Sequence, residues 1–286
     1  MNQDIIDLYD EYTHGPLDRR VFLARLTQLV GGTAAALALV PILEANQARA
    51  ALVSSNDPRL ETGRITYPAA TGDVKAYLAR PKGAAKLPAV IVIHENRGLN
   101  AHIEDVTRRV ALEGFLALAP DLLSPSGGTP ANEDTARDMI GKLDGKQTVQ
   151  NLVAAVTFLG KYPQGNGKVG AMGFCWGGGM VGDLAVNAPD LDASVVYYGR
   201  QPQAADVPKI QAPLLLHYAG LDTRINEGIP AFEDVLKKAK KKYTLYIYEG
   251  ANHAFNNDTS EARYNKQAAE QAWARTIAFF KEHLKT

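Results

Sequence analysis

Lys168-Val169-Gly170-Ala171-Met172-Gly173-Phe174-Cys175-Trp176-Gly177-Gly178-Gly179-Met180 decides how this chain is read, and it holds the only cysteine in 286 residues. Val169, Ala171 and Met172 enter it as a short β-type run, while Met180, Val181, Leu184 and Ala185 leave it at a spacing suited to a helix. Cys175 therefore falls on a sharp strand-to-helix turn within a Gly-x-Cys-x-Gly frame, the pattern of a nucleophile elbow. Gly173 and Gly177 agree with this, because such a turn strains the backbone at the nucleophile and crowds the positions two before and two after it. A lone cysteine is otherwise a small buried hydrophobe, so its partners decide.

The whole chain sets the bounds. With 46% hydrophobic and 22% charged residues it can bury one substantial core of α/β type. Acidic and basic side chains balance at 31 each, so no overall field favours nucleic acid or an anionic membrane surface. A small neutral or mixed substrate suits it better. One cysteine cannot make an intrachain disulfide, and no Cys/His spacing suggests zinc; neither a metal nor a cofactor is expected. The basic run Lys237-Lys238-Ala239-Lys240-Lys241-Lys242 reads as the solvated end of a helix.

Residues 1–50 differ in character and resemble a twin-arginine export signal. Arg19-Arg20-Val21-Phe22-Leu23 precedes a mildly apolar run from Leu26 to Val40 and Leu43, and Ala48-Arg49-Ala50 fits a small-x-small cleavage site. On that reading the enzyme is exported to the periplasm, with no stable membrane insertion of the mature domain. A second reading keeps the segment as an amphipathic arm packed on the domain or on a second subunit, in a cytoplasmic protein. Residues 51–63, with Ser54-Ser55-Asn56-Asp57-Pro58, read as a linker. Residues 64–286 form the catalytic domain, whose oligomeric state is left open.

From Arg64 onward a hairpin (Arg64–Tyr67, Val74–Ala79) precedes the continuous apolar run Ala89-Val90-Ile91-Val92-Ile93, suited to a buried parallel strand. Helices and strands then alternate: helix Ile103–Glu113, strand Phe115–Ala119, helices Glu133–Lys142 and Thr148–Leu159, then the elbow strand. Strands Ala193–Tyr198 and Pro213–Tyr218, helix Ala231–Lys240, strand Thr244–Tyr248 and a last helix Arg263–Leu284 complete the order. This predicts a mostly parallel sheet covered on both faces. In the last helix Ala269, Ala272, Trp273, Thr276, Ile277, Phe280 and Leu284 fall on one stripe, which reads as core.

Ligands of such a sheet bind at the carboxyl ends of its strands. There stand His94-Glu95-Asn96-Arg97-Gly98-Leu99-Asn100, Cys175, Ala219-Gly220-Leu221-Asp222 and Glu249-Gly250-Ala251-Asn252-His253-Ala254-Phe255. Cys175, Asp222 and His253 thus occur in the chain order of α/β-hydrolases. A thiolate attacks, a histidine titrating near neutrality moves the proton, and a carboxylate orients that histidine. The backbone N–H groups of Asn96 and Trp176 would form the oxyanion hole. Glu95 stands at the mouth of the same loop, with His94 as its support. His217 reads as a core histidine, and His14 falls in the leader.

The blocks Gly173-Phe174-Cys175-Trp176-Gly177-Gly178-Gly179, His94-Glu95-Asn96-Arg97-Gly98-Leu99-Asn100, Tyr197-Tyr198-Gly199 and Asn252-His253-Ala254-Phe255 resemble those of the dienelactone hydrolase family over roughly residues 60–286. The resemblance implies an α/β-hydrolase fold, a Cys175-His253-Asp222 triad, and Glu95 taking the thiol proton as substrate binds. The N-terminal segment resembles that of a bacterial branch with a twin-arginine leader. The chain departs from the family in its arginines, since dienelactone hydrolases grip a substrate carboxylate with two, one in the segment after the fourth strand and one shortly after the catalytic histidine. After His253 come Ala254, Phe255, Asn256, Asn257 and Asp258, with no arginine before Arg263, and Leu122–Ala136 has none. Arg97 and Arg200, each at a strand's carboxyl end, are the substitutes for that carboxylate clamp, or ordinary loop residues. The expected activity is hydrolysis of a small-molecule ester or lactone through an acyl-enzyme. Acyl transfer, peptide cleavage and a non-hydrolytic thiol-sensing role are the alternatives, and the Gly/Ser/Pro-rich loop Leu122–Pro130 is the candidate lid.

Overall fold

The computed structural model describes residues 1–15, 17–44 and 52–285. Its centre is an eight-stranded sheet: β1 (Leu60–Ala69), β2 (Gly72–Pro81), β3 (Leu87–Ile93), β4 (Leu116–Pro120), β5 (Gly165–Phe174), β6 (Ala193–Tyr197), β7 (Leu214–Ala219) and β8 (Tyr243–Tyr248). The strand order is β1-β2-β4-β3-β5-β6-β7-β8. β1–β2 and β2–β4 pair antiparallel, and every later pairing is parallel. This is the α/β architecture expected from the alternation of apolar runs and helical stripes.

The reason is visible in β3. Ala89, Ile91 and Ile93 face one core cluster, Val90 and Val92 the other, and all five are buried. Both faces are therefore covered, as a continuous apolar strand requires. One face is covered by α6 (Gly145–Gly160), α7 (Trp176–Asn187) and α9 (Ile229–Lys238), the other by α4 (Ala101–Leu112) and α10 (Lys266–His283). In α10 Ala269, Ala272, Thr276, Ile277 and Phe280 are buried, with Leu284 just past its end. Asn100, Asp144 and Asn265 cap α4, α6 and α10 by accepting a backbone N–H with their side chains.

Sequence and structure differ at the margins. β1 starts at Leu60, inside the stretch read as linker, because its register with β2 runs from Leu60↔Pro81 to Ala69↔Gly72. Val53 is pinned too: its N–H donates to Asp105 and its carbonyl accepts from Arg108, at 2.8 Å each. The loop read as a lid is tied down, since the Asp121 carboxylate accepts from Leu123 N, Thr129 N and Thr129 Oγ1.

The N-terminal segment carries three helices, α1 (Gln3–His14), α2 (Arg19–Val30) and α3 (Thr33–Leu43). Ile5, Leu8, Tyr9 and Tyr12 of α1 pack with Phe22, Leu26, Ala36, Val40 and Leu43 into a small core of their own. No single described helix is long and apolar enough to cross a membrane, and α2 and α3 meet at 114°. Arg19 pairs with Glu44 and with Asp134, which lies between β4 and β5. Ala48-Arg49-Ala50, the expected cleavage site, lies outside the described residues.

At the elbow, a Cβ on Gly177 would stand 2.3 Å from the His94 carbonyl oxygen and 2.6 Å from that of Ile93, both backbone atoms of the adjoining strand end. Gly177→Ala is therefore expected to cost about 2 kcal/mol or more of stability and to lower activity as well. Thermal denaturation beside an ester assay checks this; a wild-type melting temperature would contradict the packing.

Candidate active site

β3 and β5 are neighbours whose following connections leave in opposite directions, toward β4 and toward β6. Such a switch point opens a crevice at the strand ends. Glu95 and Asn96 follow β3 there, and Cys175 follows β5. Cys175 has φ 55° and ψ −117°, in a region that side-chain-bearing residues rarely occupy, and directly precedes α7. Tyr198 after β6 and Ala254 after β8 also have positive φ, at 39° and 63°. Three strained backbone positions thus surround one point, as at functional sites where surrounding packing holds them.

The side chains converge there. His253 Nδ1 lies 2.5 Å from Asp222 Oδ2, while Asp222 Oδ1 accepts the Ile225 N–H at 3.2 Å and so caps the short helix α8 (Thr223–Asn226). Both oxygens are engaged, so the carboxylate has one orientation. His253 is 1% exposed, and one of its ring nitrogens belongs to a group of atoms lying within 4.8 Å of one another that includes Cys175 Sγ. Burial pulls this imidazole down, but with the sulfur as a thiolate the charge on Cys175 and the hydrogen bond and charge of Asp222 outweigh it, raising it from 6.5 to about 10, so the imidazolium formed by taking the thiol proton is held in place. Burial likewise pushes Asp222 up, yet its bond to His253 and the nearby positive charges hold it below its ordinary value.

Glu95 is buried, and its carboxylate accepts from Asn257 Nδ2 at 2.8 Å. Asn96 lines the cavity and donates from its side chain to the Thr13 carbonyl at 2.7 Å. Trp176 opens α7, so its N–H is among those a helix leaves without an internal acceptor. Its ring stacks on His94, whose Nδ1 meets the Glu95 carbonyl. His217 lies in the core, between Thr276 and Tyr248, and burial and Arg275 lower it to about 3. Arg97 is tied to Asp134 at 3.0 Å, whereas Arg200 lines the cavity while pairing with Asp183.

The cavity measures about 600 Å³ and is bounded by Thr13, His14, Asn96, Ile140, Cys175, Trp176, Tyr198 and His253, with Arg137, Lys142, Arg200, Arg224 and Asp138 also lining it. No residue of the Leu122–Pro130 loop lines it; α1 and the segment from Arg137 to Lys142 do. His14 Nε2 is 3.0 Å from Cys175 Sγ, a placement that residue spacing cannot show because 161 positions separate the two. The available signal was the stripe Ile5, Leu8, Tyr9, Tyr12, which marks an amphipathic helix where an export signal has a polar start. Among the described residues His14, Cys175 and His253 are the group close enough to hold a metal ion. Two ligands of one tetrahedral zinc, at about 2.3 and 2.0 Å from it, stand roughly 3.5 Å apart. The 3.0 Å between His14 Nε2 and Cys175 Sγ is shorter than that and within hydrogen-bond reach.

Comparison with known proteins bears on the family of the chain. The dienelactone hydrolase family model matches residues 74–284. The chain belongs to the dienelactone hydrolase family. Residues 1–31 match a second family model, described as YqhI-like. A protein of Saccharolobus solfataricus named "Putative carboxymethylenebutenolidase" is 36% identical over 254 residues, covering 76% of this chain and 97% of its own. One of the same name from Methylorubrum extorquens is 30% identical and covers 93% of this chain and 94% of its own. Among solved structures, one from Klebsiella pneumoniae titled "Putative Dienelactone Hydrolase" superposes with a TM-score of 0.71 at 29% identity, covering 78% of this chain and 99% of its own. The protein is thus a hydrolase of dienelactone hydrolase type on an α/β-hydrolase fold.

The Asp222–His253 pair makes a pH-dependent contribution to stability. His253 is raised in the fold, so its share is complete below about pH 6.5 and fades as pH rises toward 10. Asp222 is lowered, so its share is present above about pH 3.8 and is lost as pH falls through its folded value. The melting-temperature deficit of Asp222→Asn is expected to be widest between these limits and to narrow toward pH 10. A deficit that does not vary with pH would remove the charged pair from the account.

Proposed function

We propose that the enzyme hydrolyses carboxylic esters or lactones through an acyl-enzyme on Cys175. The observation that carries this reading is a cysteine on a left-handed elbow beside a buried histidine whose other nitrogen is held by Asp222 at 2.5 Å. In the first half-reaction the Sγ proton passes to His253 Nε2 and the sulfur forms a bond to the carbonyl carbon. The N–H groups of Trp176 and Asn96 hold the resulting oxyanion. As the C–O bond breaks, His253 returns the proton to the leaving alkoxide, which in a lactone stays tethered to the acyl group. Water, deprotonated by His253, then releases the acid and restores the thiol.

The cavity mouth adds a preference. Arg137, Lys142, Arg200 and Arg224 face it against Asp138 alone. Arg137 and Arg200 are paired with carboxylates, while Arg224 makes no ion pair with any described residue. Such an excess of positive charge favours esters that carry a carboxylate or another anionic group. Tyr198, fully buried with its hydroxyl unpartnered among the described residues, lines the same cavity as a further polar contact.

A panel of neutral and anionic esters and lactones tests the reading. Cys175→Ala and His253→Ala are each expected to lose at least a thousandfold in kcat. Arg224→Gln is expected to raise KM several-fold for anionic substrates and leave neutral ones unaffected. Retained hydrolysis in Cys175→Ala would refute the mechanism, and equal KM changes for both substrate classes would refute the charge preference.

A further inference from the structure

His14 closes α1 and brings a second imidazole to Cys175. Its Nδ1 lies 2.9 Å from the backbone carbonyl oxygen of Asp10 and 2.9 Å from Thr13 Oγ1, whose own hydrogen is given to the Tyr9 carbonyl at 3.0 Å. A carbonyl only accepts, so Nδ1 carries the hydrogen and Nε2 presents its lone pair to Sγ at 3.0 Å. The hydrogen in that contact therefore comes from the thiol. His253 Nε2, in contrast, is buried without a hydrogen-bond partner among the described residues. Burial, followed by the charges of His253, Arg224 and Arg263, holds His14 well below the usual histidine range, which keeps its ring neutral.

The segment carrying His14 is fastened on several sides. Arg263 binds Asp10 at 3.0 Å and lies over the Tyr9 ring, Arg137 lies over the Tyr12 ring, and the Tyr12 hydroxyl donates to Asp134 at 2.8 Å. Arg263 is itself buried and cationic, and Asp10 joins Glu95 in answering its charge.

We propose that His14 is a catalytic residue of the resting enzyme, holding Cys175 as a hydrogen-bonded thiol until substrate turns Sγ toward His253, and that the N-terminal helices are part of the active site. The inference rests on Cys175 being the nucleophile. On activation the S–H···Nε2 bond to His14 breaks and the same proton passes to His253 Nε2. The sulfur lone pair left behind forms the bond to the acyl carbon, and His14 ends neutral, as it began. A thiol kept protonated and buried resists alkylation and oxidation between turnovers.

The test is the rate of Cys175 alkylation by iodoacetamide from pH 5 to 10 in the full-length chain. Around the pair stand Glu95 after β3, Tyr198 after β6, Asp222 and Arg224 after β7, and His253 and Arg263 after β8; all are kept. His14→Ala removes the acceptor and opens space, whereas His14→Phe removes the acceptor and keeps a ring over the sulfur. Both are expected to lower the apparent thiol pKa by about one unit, making labelling near pH 6.5 about tenfold faster. His14→Gln, whose amide oxygen can accept from the thiol, is expected to keep the wild-type profile. If one variant melts early, the other decides. A His14→Phe profile that coincides with wild type, or slower labelling in both variants, would overturn the role of His14. Retained ester hydrolysis in Cys175→Ala would instead overturn the nucleophile reading and this inference with it.

Discussion

The left-handed backbone at Cys175 is the constraint on which the rest of the site depends. With φ at 55° the chain reverses between β5 and α7 within one residue, and the sulfur is left projecting at the sheet's carboxyl edge. That reversal requires α7 to start against the end of β3, where only a glycine at 177 fits beneath the Ile93 and His94 carbonyls. The same contact fixes how near the loop of Glu95 and Asn96 comes to the nucleophile. Strain at one residue is offset by two buried core clusters that hold β3 and β5 in register from Ala89↔Val169 to Ile93↔Gly173.

Electrostatics then give the two imidazoles beside the sulfur opposite characters. His253, facing the thiolate and bonded to a carboxylate, is stabilised as the cation it becomes on taking the thiol proton; His14, bonded to a neutral carbonyl among positive charges, is stabilised as a neutral ring. His253 is buried and the His14 ring is desolvated at the cavity wall, and desolvation alone would have lowered both. The partner at Nδ1 and the surrounding charges separate them.

Much of this was legible in the sequence because it is local. The run Ala89–Ile93 reads as a doubly covered strand from its composition, and β3 spans Leu87–Ile93. The helix read over Ile103–Glu113 is α4, Ala101–Leu112, bounded by the Asn100 cap. Cys175, Asp222 and His253 each follow an apolar run, and parallel strands bring such positions to one edge. What spacing could not show depends on approach between distant segments. Arg19-Arg20 and the apolar run after it have the composition of an export signal, yet Leu26, Val40 and Leu43 have partners in α1 that make a small core. The loop Leu122–Pro130 has the composition of a lid, but Asp121 fixes it by three hydrogen bonds. Arg97 answers Asp134, a residue of α5 (Glu133–Ile140), which no local pattern pairs with it.

The central claim is a covalent acyl intermediate on Cys175, and peptide-level mass spectrometry of enzyme quenched in acid during turnover of an activated ester tests it most directly. The account predicts the acyl mass on the peptide containing Cys175, accumulating in wild type and absent from His253→Ala. An acyl group on another residue, or turnover with no acylated peptide under conditions that preserve thioesters, would contradict it.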